Sequence, residues 1–129
     1  MMKTVVALLA TTLLAGVALA GEYPDIKIAD LKAAIEAKQV TLLDANGTKS
    51  WKDGHIPGAI DFATNKDNLA GLLPKDKGAL IVAYCGGPMC NAYKAAAKAA
   101  EKLGYTNVKH LSAGIRGWKK ANETTEKGN

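Results

Sequence analysis

Ala79-Leu80-Ile81-Val82-Ala83-Tyr84-Cys85-Gly86-Gly87-Pro88-Met89-Cys90-Asn91 is the stretch that decides how this 129-residue chain is read. An uncharged apolar run, residues 79–84, breaks off at a cysteine. A loop with two glycines and a proline follows, and then an alanine-rich segment, residues 92–103, of good helix-forming composition. The pattern is strand, tight loop, helix. A strand with no polar alternation is covered on both faces, as in a parallel sheet. Cys85 then stands at the carboxyl end of a central strand, where open α/β sheets place their chemistry.

The residue types around Cys85 suit a nucleophilic sulfur. Glycines let successive backbone N–H groups converge on one point, and the helix that follows aims its positive end there. Both effects favour thiolate over thiol, so Cys85 is expected to ionise below about 8.5, the unperturbed value. The same cradle, Gly86, Gly87, Pro88, Met89, Cys90 and Asn91, is expected to bind the substrate, a small anion.

Working outward, the length predicts one domain. A charged fraction of 22% and an apolar fraction of 48% are those of an ordinary globular domain. The net charge of +5 comes from dispersed lysines, and Arg116 is the only arginine. There is no clustered basic stripe, which argues against nucleic-acid binding. Residues 1–20 stand apart. Lys3 is followed by the nearly uninterrupted apolar residues 5–19 and by Ala18-Leu19-Ala20, a small-x-small cleavage site. They are read as a signal peptide, with residues 21–129 as the mature domain. The apolar run is short for a membrane span, and no cysteine follows it to carry a lipid. A periplasmic or secreted protein is expected, with no stable membrane association after cleavage. Disulfides persist in such compartments. A bridge across the short Cys85–Cys90 ring would add little stability, so a redox or catalytic pair is a better reading than a staple.

Taken in order, Ile26-Lys27-Ile28 reads as a short strand, and Asp30 as the cap of a helix over 31–38. Residues 40–43 form a strand ending at Asp44, and Asn46-Gly47 is a turn. One helical turn is predicted at 50–53, a loop at 54–58 and a short strand at 59–62. Thr64 or Asn65 caps a helix to about Leu73, stopped by Pro74. After the cysteine loop the long helix ends at Gly104, a C′ glycine. A last strand covers 108–111, a final helix 115–121, and residues 122–129 are read as a frayed end. Strands alternate with helices throughout, which predicts an α/β domain with a mostly parallel sheet.

Three segments together resemble the rhodanese-like domain family. They are Leu42-Leu43-Asp44 with Trp51 and Gly54-His55-Ile56-Pro57-Gly58-Ala59-Ile60; Ala83-Tyr84-Cys85 with its loop and helix; and Leu103-Gly104-Tyr105, Val108, Leu111-Ser112-Ala113-Gly114-Ile115 and Trp118. The resemblance implies a three-layer module with a five-stranded sheet flanked by helices. It implies that Cys85 takes a sulfane sulfur from thiosulfate, a persulfide or a polysulfide, becomes a persulfide, and passes the sulfur to a thiol or cyanide. No metal or organic cofactor is implied. The loop looks about two residues longer than in compact single-domain members. Relatives with a Cys-x5-Arg motif handle larger anions, but this chain has Asn91 at that arginine, and phosphoryl transfer would lose its main charge stabiliser. Asn46 replaces an arginine common in the family two residues after the aspartate, and Ser50 an acidic residue.

Other residues divide between chemistry and structure. Cys90 is either a thiol that resolves an oxidised Cys85 or a small residue filling the loop. Met89 is read as pocket wall and Pro88 as loop-shaping. His55 and Asp44 are read as structural, His110 as a surface or interface residue, and Trp51 and Trp118 as core. Arg116, Lys119, Lys94 and Lys98 are read as solvated charges. Two separated histidines and two close cysteines match no zinc spacing. Besides a monomeric sulfurtransferase, the pattern leaves open a sulfur carrier or docking module without turnover, and a thiol–disulfide protein using Cys85 and Cys90.

Overall fold

Two of the apolar runs pair at the centre of a parallel sheet. Strand β1 (Thr41–Asp44) lies beside β3 (Ile81–Tyr84), with Thr41 opposite Ile81 and Asp44 opposite Tyr84. Strand β4 (Val108–His110) pairs with the other edge of β3, and β2 (Ile60–Asp61) with the other edge of β1. The order is β2-β1-β3-β4, all parallel. The computed structural model describes residues 23–129. The signal peptide read from residues 1–20 lies outside them.

Helices cover both faces. They are α1 (Ile28–Glu36), α2 (Thr48–Asp53), α3 (Phe62–Asn65) running into a 3-10 helix (Lys66–Gly71), α4 (Tyr93–Lys102) and α5 (Gly114–Lys120). All four β3 residues are buried, as the uncharged run predicts. Alternation then sorts the side chains. Leu43, Ile81, Ala83 and Cys85 face a core closed by α4 and the 3-10 helix, through Tyr93, Ala96, Ala97, Ala100 and Leu69. Leu42, Val82 and Tyr84 face a second core with Leu31, Ile56, Ile115 and Trp118. The alanines of α4 present little side chain, so its backbone can seat close to the sheet. Gly104 ends the helix at φ 97°, as its position after Leu103 predicts.

Several expectations are corrected. The sheet has four strands among the described residues, and the fifth, sought at Ile26-Lys27-Ile28, shrinks to one parallel bridge between Asp25 and His110. There Ile26 N–H donates to the His110 carbonyl, and His110 N–H to that of Pro24, each at 2.8 Å. Helix α1 starts at Ile28 and consumes the residues a longer strand would need. Its N-cap is Lys27, not Asp30, which sits in the first turn facing the positive helix end. Asn65 holds the N-cap position of the 3-10 helix, as expected, but neither it nor Thr64 makes a side-chain cap bond. They bond back to Asp61, Thr64 Oγ1 to the carboxylate and Asn65 Nδ2 to the carbonyl, both at 2.8 Å. Asn68 leaves helical geometry (φ −126°, ψ 20°), so the 3-10 segment is two short turns joined at a kink rather than one continuous helix.

The chain end is not frayed. His55 and Glu126 exchange backbone hydrogen bonds of 2.8 and 2.9 Å, Gly128 N–H donates to the Lys52 carbonyl at 3.0 Å, and Trp118 Nε1 donates to the Thr124 carbonyl at 2.8 Å. A Cβ on Gly128 would lie 2.3 Å from the Trp51 ring, so only glycine seats the tail there. No helix among the described residues is long and apolar enough to cross a membrane.

His110 is also not on the surface. It is 7% exposed and stacks on Tyr93, ring centroids 3.3 Å apart, with Nε2 buried and unpartnered. Strand β4 points His110 to the same side as Val108, beneath α4, which is why flanking lysine and leucine misdirect the sequence reading. Burial lowers its pKa from the ordinary value. Lys94 acts in the same direction and Asp25 against it. The unfolded chain therefore takes up this proton first as the pH falls. The contribution is complete above about 6.5, the unfolded value, and is lost as pH drops toward the folded one. Denaturant midpoints measured from pH 7.5 down to 5 are expected to fall for the native chain, and to fall less for His110→Phe, which keeps a ring over Tyr93.

Candidate active site

The carboxyl ends of β1 and β3 carry two different arrangements, one on each face. Toward α5 is a buried polar chain. Asp44 is fully buried and accepts from the Tyr84 hydroxyl at 2.6 Å and from Asn46 N–H at 2.8 Å. The Tyr84 oxygen accepts in turn from Ile56 N–H at 3.1 Å. Burial pushes the Asp44 carboxyl up, against the hydrogen bonds it accepts. Burial and then the Asp44 charge push the Tyr84 phenol far up, so it stays a donor. The chain thus ties β1 and β3 to the 54–58 loop.

His55 completes that loop as a structural residue, as the sequence suggests. Its Nδ1 lies 2.8 Å from the Trp51 carbonyl, its ring stacks on Trp51 at 4.3 Å, and Nε2 lies 3.7 Å from the Glu126 carboxylate. Trp51 is half-buried and donates to the Ala59 carbonyl at 2.8 Å. Neither histidine reaches the cysteine loop by any of these bonds. Sequence reasoning missed the partnership of Tyr84 with Asp44 and the part played by Glu126. The first had a signal: an acid and a tyrosine close two runs that pair in parallel.

The cysteine loop hangs between β3 and α4. Its carbonyls are engaged on one side. Ile115 N–H donates to the Cys85 carbonyl at 2.9 Å, Arg116 N–H to that of Gly86 at 3.1 Å, and Cys90 N–H to that of Gly87 at 3.1 Å. In a planar trans peptide the N–H points opposite its carbonyl. With the Cys85 and Gly86 carbonyls held by α5, the Gly86 and Gly87 N–H groups face away from α5. This contact demands glycine at Gly114. It has φ 62°, and a Cβ there would fall 2.5 Å from the Gly86 carbon and the Gly87 nitrogen.

Cys85 is 1% exposed and is joined to half-buried Cys90 in a disulfide, with Cα atoms 6.2 Å apart. In this form neither sulfur titrates. Arg116, read from sequence as a solvated charge, leans on the loop. Its Nε donates to the Gly86 carbonyl at 3.4 Å, and a Cβ on Gly87 would meet the guanidinium at 3.2 Å. Asn46 flanks the other side, its Oδ1 3.9 Å from where a Gly86 Cβ would be and its Nδ2 buried without a partner. Met89 does not form a pocket wall. It is 89% exposed at the crest of the loop, where Pro88 and Asn91 are exposed as well. Helix α4 begins at Tyr93 with no side-chain cap, which leaves its positive end to the loop. Among the described residues no three His, Cys, Asp or Glu side chains gather closely enough to hold a metal. A groove of about 310 Å³ lies at the opposite, amino end of the sheet, lined by Lys38, Thr41, Pro74 and Leu80, and does not touch the cysteine loop.

Comparison with known proteins places this geometry. A family model described as Rhodanese-like domain matches residues 27–121. The chain is 36% identical over 102 residues to the HTH-type transcriptional regulator Rv0324 of Mycobacterium tuberculosis, covering 78% of this chain but 43% of that protein, so it spans less than half of the regulator. It is 31% identical over 103 residues to the thiosulfate sulfurtransferase GlpE of Shewanella oneidensis, covering 78% of this chain and 96% of that one. Among solved structures, the rhodanese-like domain of Anabaena sp. Alr3790 superposes with a TM-score of 0.64 at 25% identity, covering 81% of this chain and 80% of that one.

Two substitutions test how the site is held. Gly114→Ala is expected to cost more than about 1 kcal/mol from its left-handed backbone alone. The backbone clash adds to that and displaces the cysteine loop, so a lower thermal midpoint should accompany altered reactivity of the reduced Cys85. Tyr84→Phe leaves Asp44 and the Ile56 N–H short of a partner in a buried site, and should lower unfolding free energy in denaturant by about 1–3 kcal/mol.

Proposed function

The chain belongs to the rhodanese-like domain family, and from that premise we propose that it is a sulfurtransferase whose reduced Cys85 carries sulfane sulfur as a persulfide. The observation that carries the reading is the seat of Cys85. It is a buried sulfur at the end of a fully buried strand, on a loop whose first two carbonyls are tied to α5 while the following amides face the other way. Such a loop stabilises negative charge on the sulfur or on a group attached to it. The 31% identity to a thiosulfate sulfurtransferase over nearly its whole length supports the same chemistry.

In the proposed reaction the Cys85 thiolate attacks the sulfane sulfur of thiosulfate, a persulfide or a polysulfide. The donor's remainder departs with the bonding pair, sulfite in the case of thiosulfate. The Cys85 persulfide then gives its outer sulfur to a thiol or cyanide. Gly86, Gly87, Pro88, Met89, Cys90 and Asn91 make up the loop that carries the transferred atom. The Gly86 and Gly87 amides, which face away from α5, are the anion hole, while the Met89 side chain points outward and the Cys90 N–H is held by the Gly87 carbonyl. Arg116 and Asn46 at the loop's flanks favour an anionic donor. No metal or organic cofactor is required, since a preformed thiolate needs no further activation. The apolar residues 5–19 and the cleavage-like Ala18-Leu19-Ala20 support export to the periplasm or beyond.

A second reading, a thiol–disulfide protein, is favoured by one observation, the Cys85–Cys90 bridge. The two separate in one assay. The protein is reduced, freed of reductant, and mixed with thiosulfate and cyanide. Thiocyanate should form catalytically, and Cys85→Ser should reduce it to the uncatalysed background. Sulfur loading without turnover would indicate a carrier. Disulfide formation with no sulfur loading at any stage would favour the second reading.

A further inference from the structure

We propose that Cys90 is a second catalytic thiol, which attacks the inner sulfur of the Cys85 persulfide, expels sulfide, and leaves the disulfide seen in the structure. The inference rests on the sulfurtransferase reading and adds an internal acceptor to it. The bridge shows that the loop can bring the Cys90 sulfur to the Cys85 sulfur within ordinary Cα spacing, 6.2 Å, while both sulfurs remain tied to the strand–loop–helix unit. The contact is with Cys85 Sγ itself. In a persulfide that atom is the inner sulfur, and attack on it releases the outer sulfur.

The step balances without an outside oxidant. Cys85–S–S⁻ and Cys90–SH give Cys85–S–S–Cys90 and HS⁻. The S–S bond within the persulfide breaks, the new S–S bond forms, and the proton of Cys90 leaves with the sulfide. The sulfane sulfur is reduced and the two cysteine sulfurs are oxidised. An external dithiol then resets the pair. Its thiolate meets Cys90 first, because Cys90 is half-buried between exposed Met89 and exposed Asn91, whereas Cys85 is 1% exposed. Attack on Cys90 makes Cys85 the leaving thiolate, and a sulfur stabilised as a thiolate leaves faster. Reduction from that side therefore returns the nucleophile in its reactive form.

The structure also disfavours a merely structural bridge. The closed ring spans a separation of five residues, and loop-entropy stabilisation is least for short rings. The loop is also held by the α5 amides and by the Cys90 N–H bond to Gly87, so the bridge is one of several ties on it.

The test uses reduced protein freed of reductant and mixed with stoichiometric thiosulfate in the absence of oxygen and of any acceptor thiol. Sulfite, sulfide and intact mass are followed together. The native chain is expected to release one sulfite and one sulfide per chain and to end two hydrogens lighter. Cys90→Ser, with Cys90→Ala as the second variant, is expected to release one sulfite, no sulfide, and to stall one sulfur atom heavier. Adding dithiothreitol should restore thiosulfate consumption in the native chain, with sulfide appearing at each turn. Equal persulfide accumulation in the native chain and both variants, with sulfite but no sulfide, overturns the role of Cys90 and leaves the sulfurtransferase reading intact. No sulfite and no gain of sulfur in any form overturns both.

Discussion

Complete burial of β3 is the constraint from which the rest of the molecule follows. A strand covered on both faces has no water to satisfy the polar groups at its end, and an unpaired buried group is costly. The chain answers in two ways. Tyr84 carries its hydroxyl to Asp44 across the strand pair and receives the Ile56 amide. The next carbonyls, those of Cys85 and Gly86, are taken by the first amides of α5. The second answer positions the cysteine loop, and it works because Gly114 lets two backbones meet without a side chain between them. Burial, loop shape and the seat of the sulfur are one problem with one solution.

The α5 side of the sheet shows the same economy at its margins. Asn46 follows the β1 aspartate by two residues, and the chain's only arginine reaches the loop from α5. A positive charge thus stands beside the cysteine loop at the carboxyl end of the sheet. The tail works in parallel. Glu126 pairs with His55 through the backbone and faces its ring, so the 54–58 loop is held from below by Tyr84 and from its edge by the chain end.

What could be read in the sequence was whatever local pattern decides. The uncharged run of β3, the glycine loop, the alanine face of α4 and the C′ Gly104 all depend on near neighbours, and each stands within a residue or two of its expected place. The break between the last strand and the final helix was legible for the same reason, though not what Gly114 touches. What failed depends on distant partners. His110 looked superficial until Tyr93, seventeen positions away, lay flat on it. Residues 122–129 looked frayed because their acceptors are at Lys52 and His55. Arg116 is exposed, as expected, but no local pattern says that α5 begins against the cysteine loop, so its contact with the Gly86 carbonyl was not foreseen. Met89 was the reverse error: an apolar residue in a functional loop suggests a wall, but the crest of a tight turn points outward.

The margins of the sheet carry a consequence of their own. β2 contributes two residues, and on the far side β4 is met, among the described residues, only by the bridge at Asp25. An unsatisfied β-rim is a template on which a stranger's backbone can zip. Here each rim is cut to a stub, one running directly into α3 and the other into α1. Crowded copies of this domain would find few successive amides to grip, so resistance to fibrous association is built into the brevity of its outermost segments.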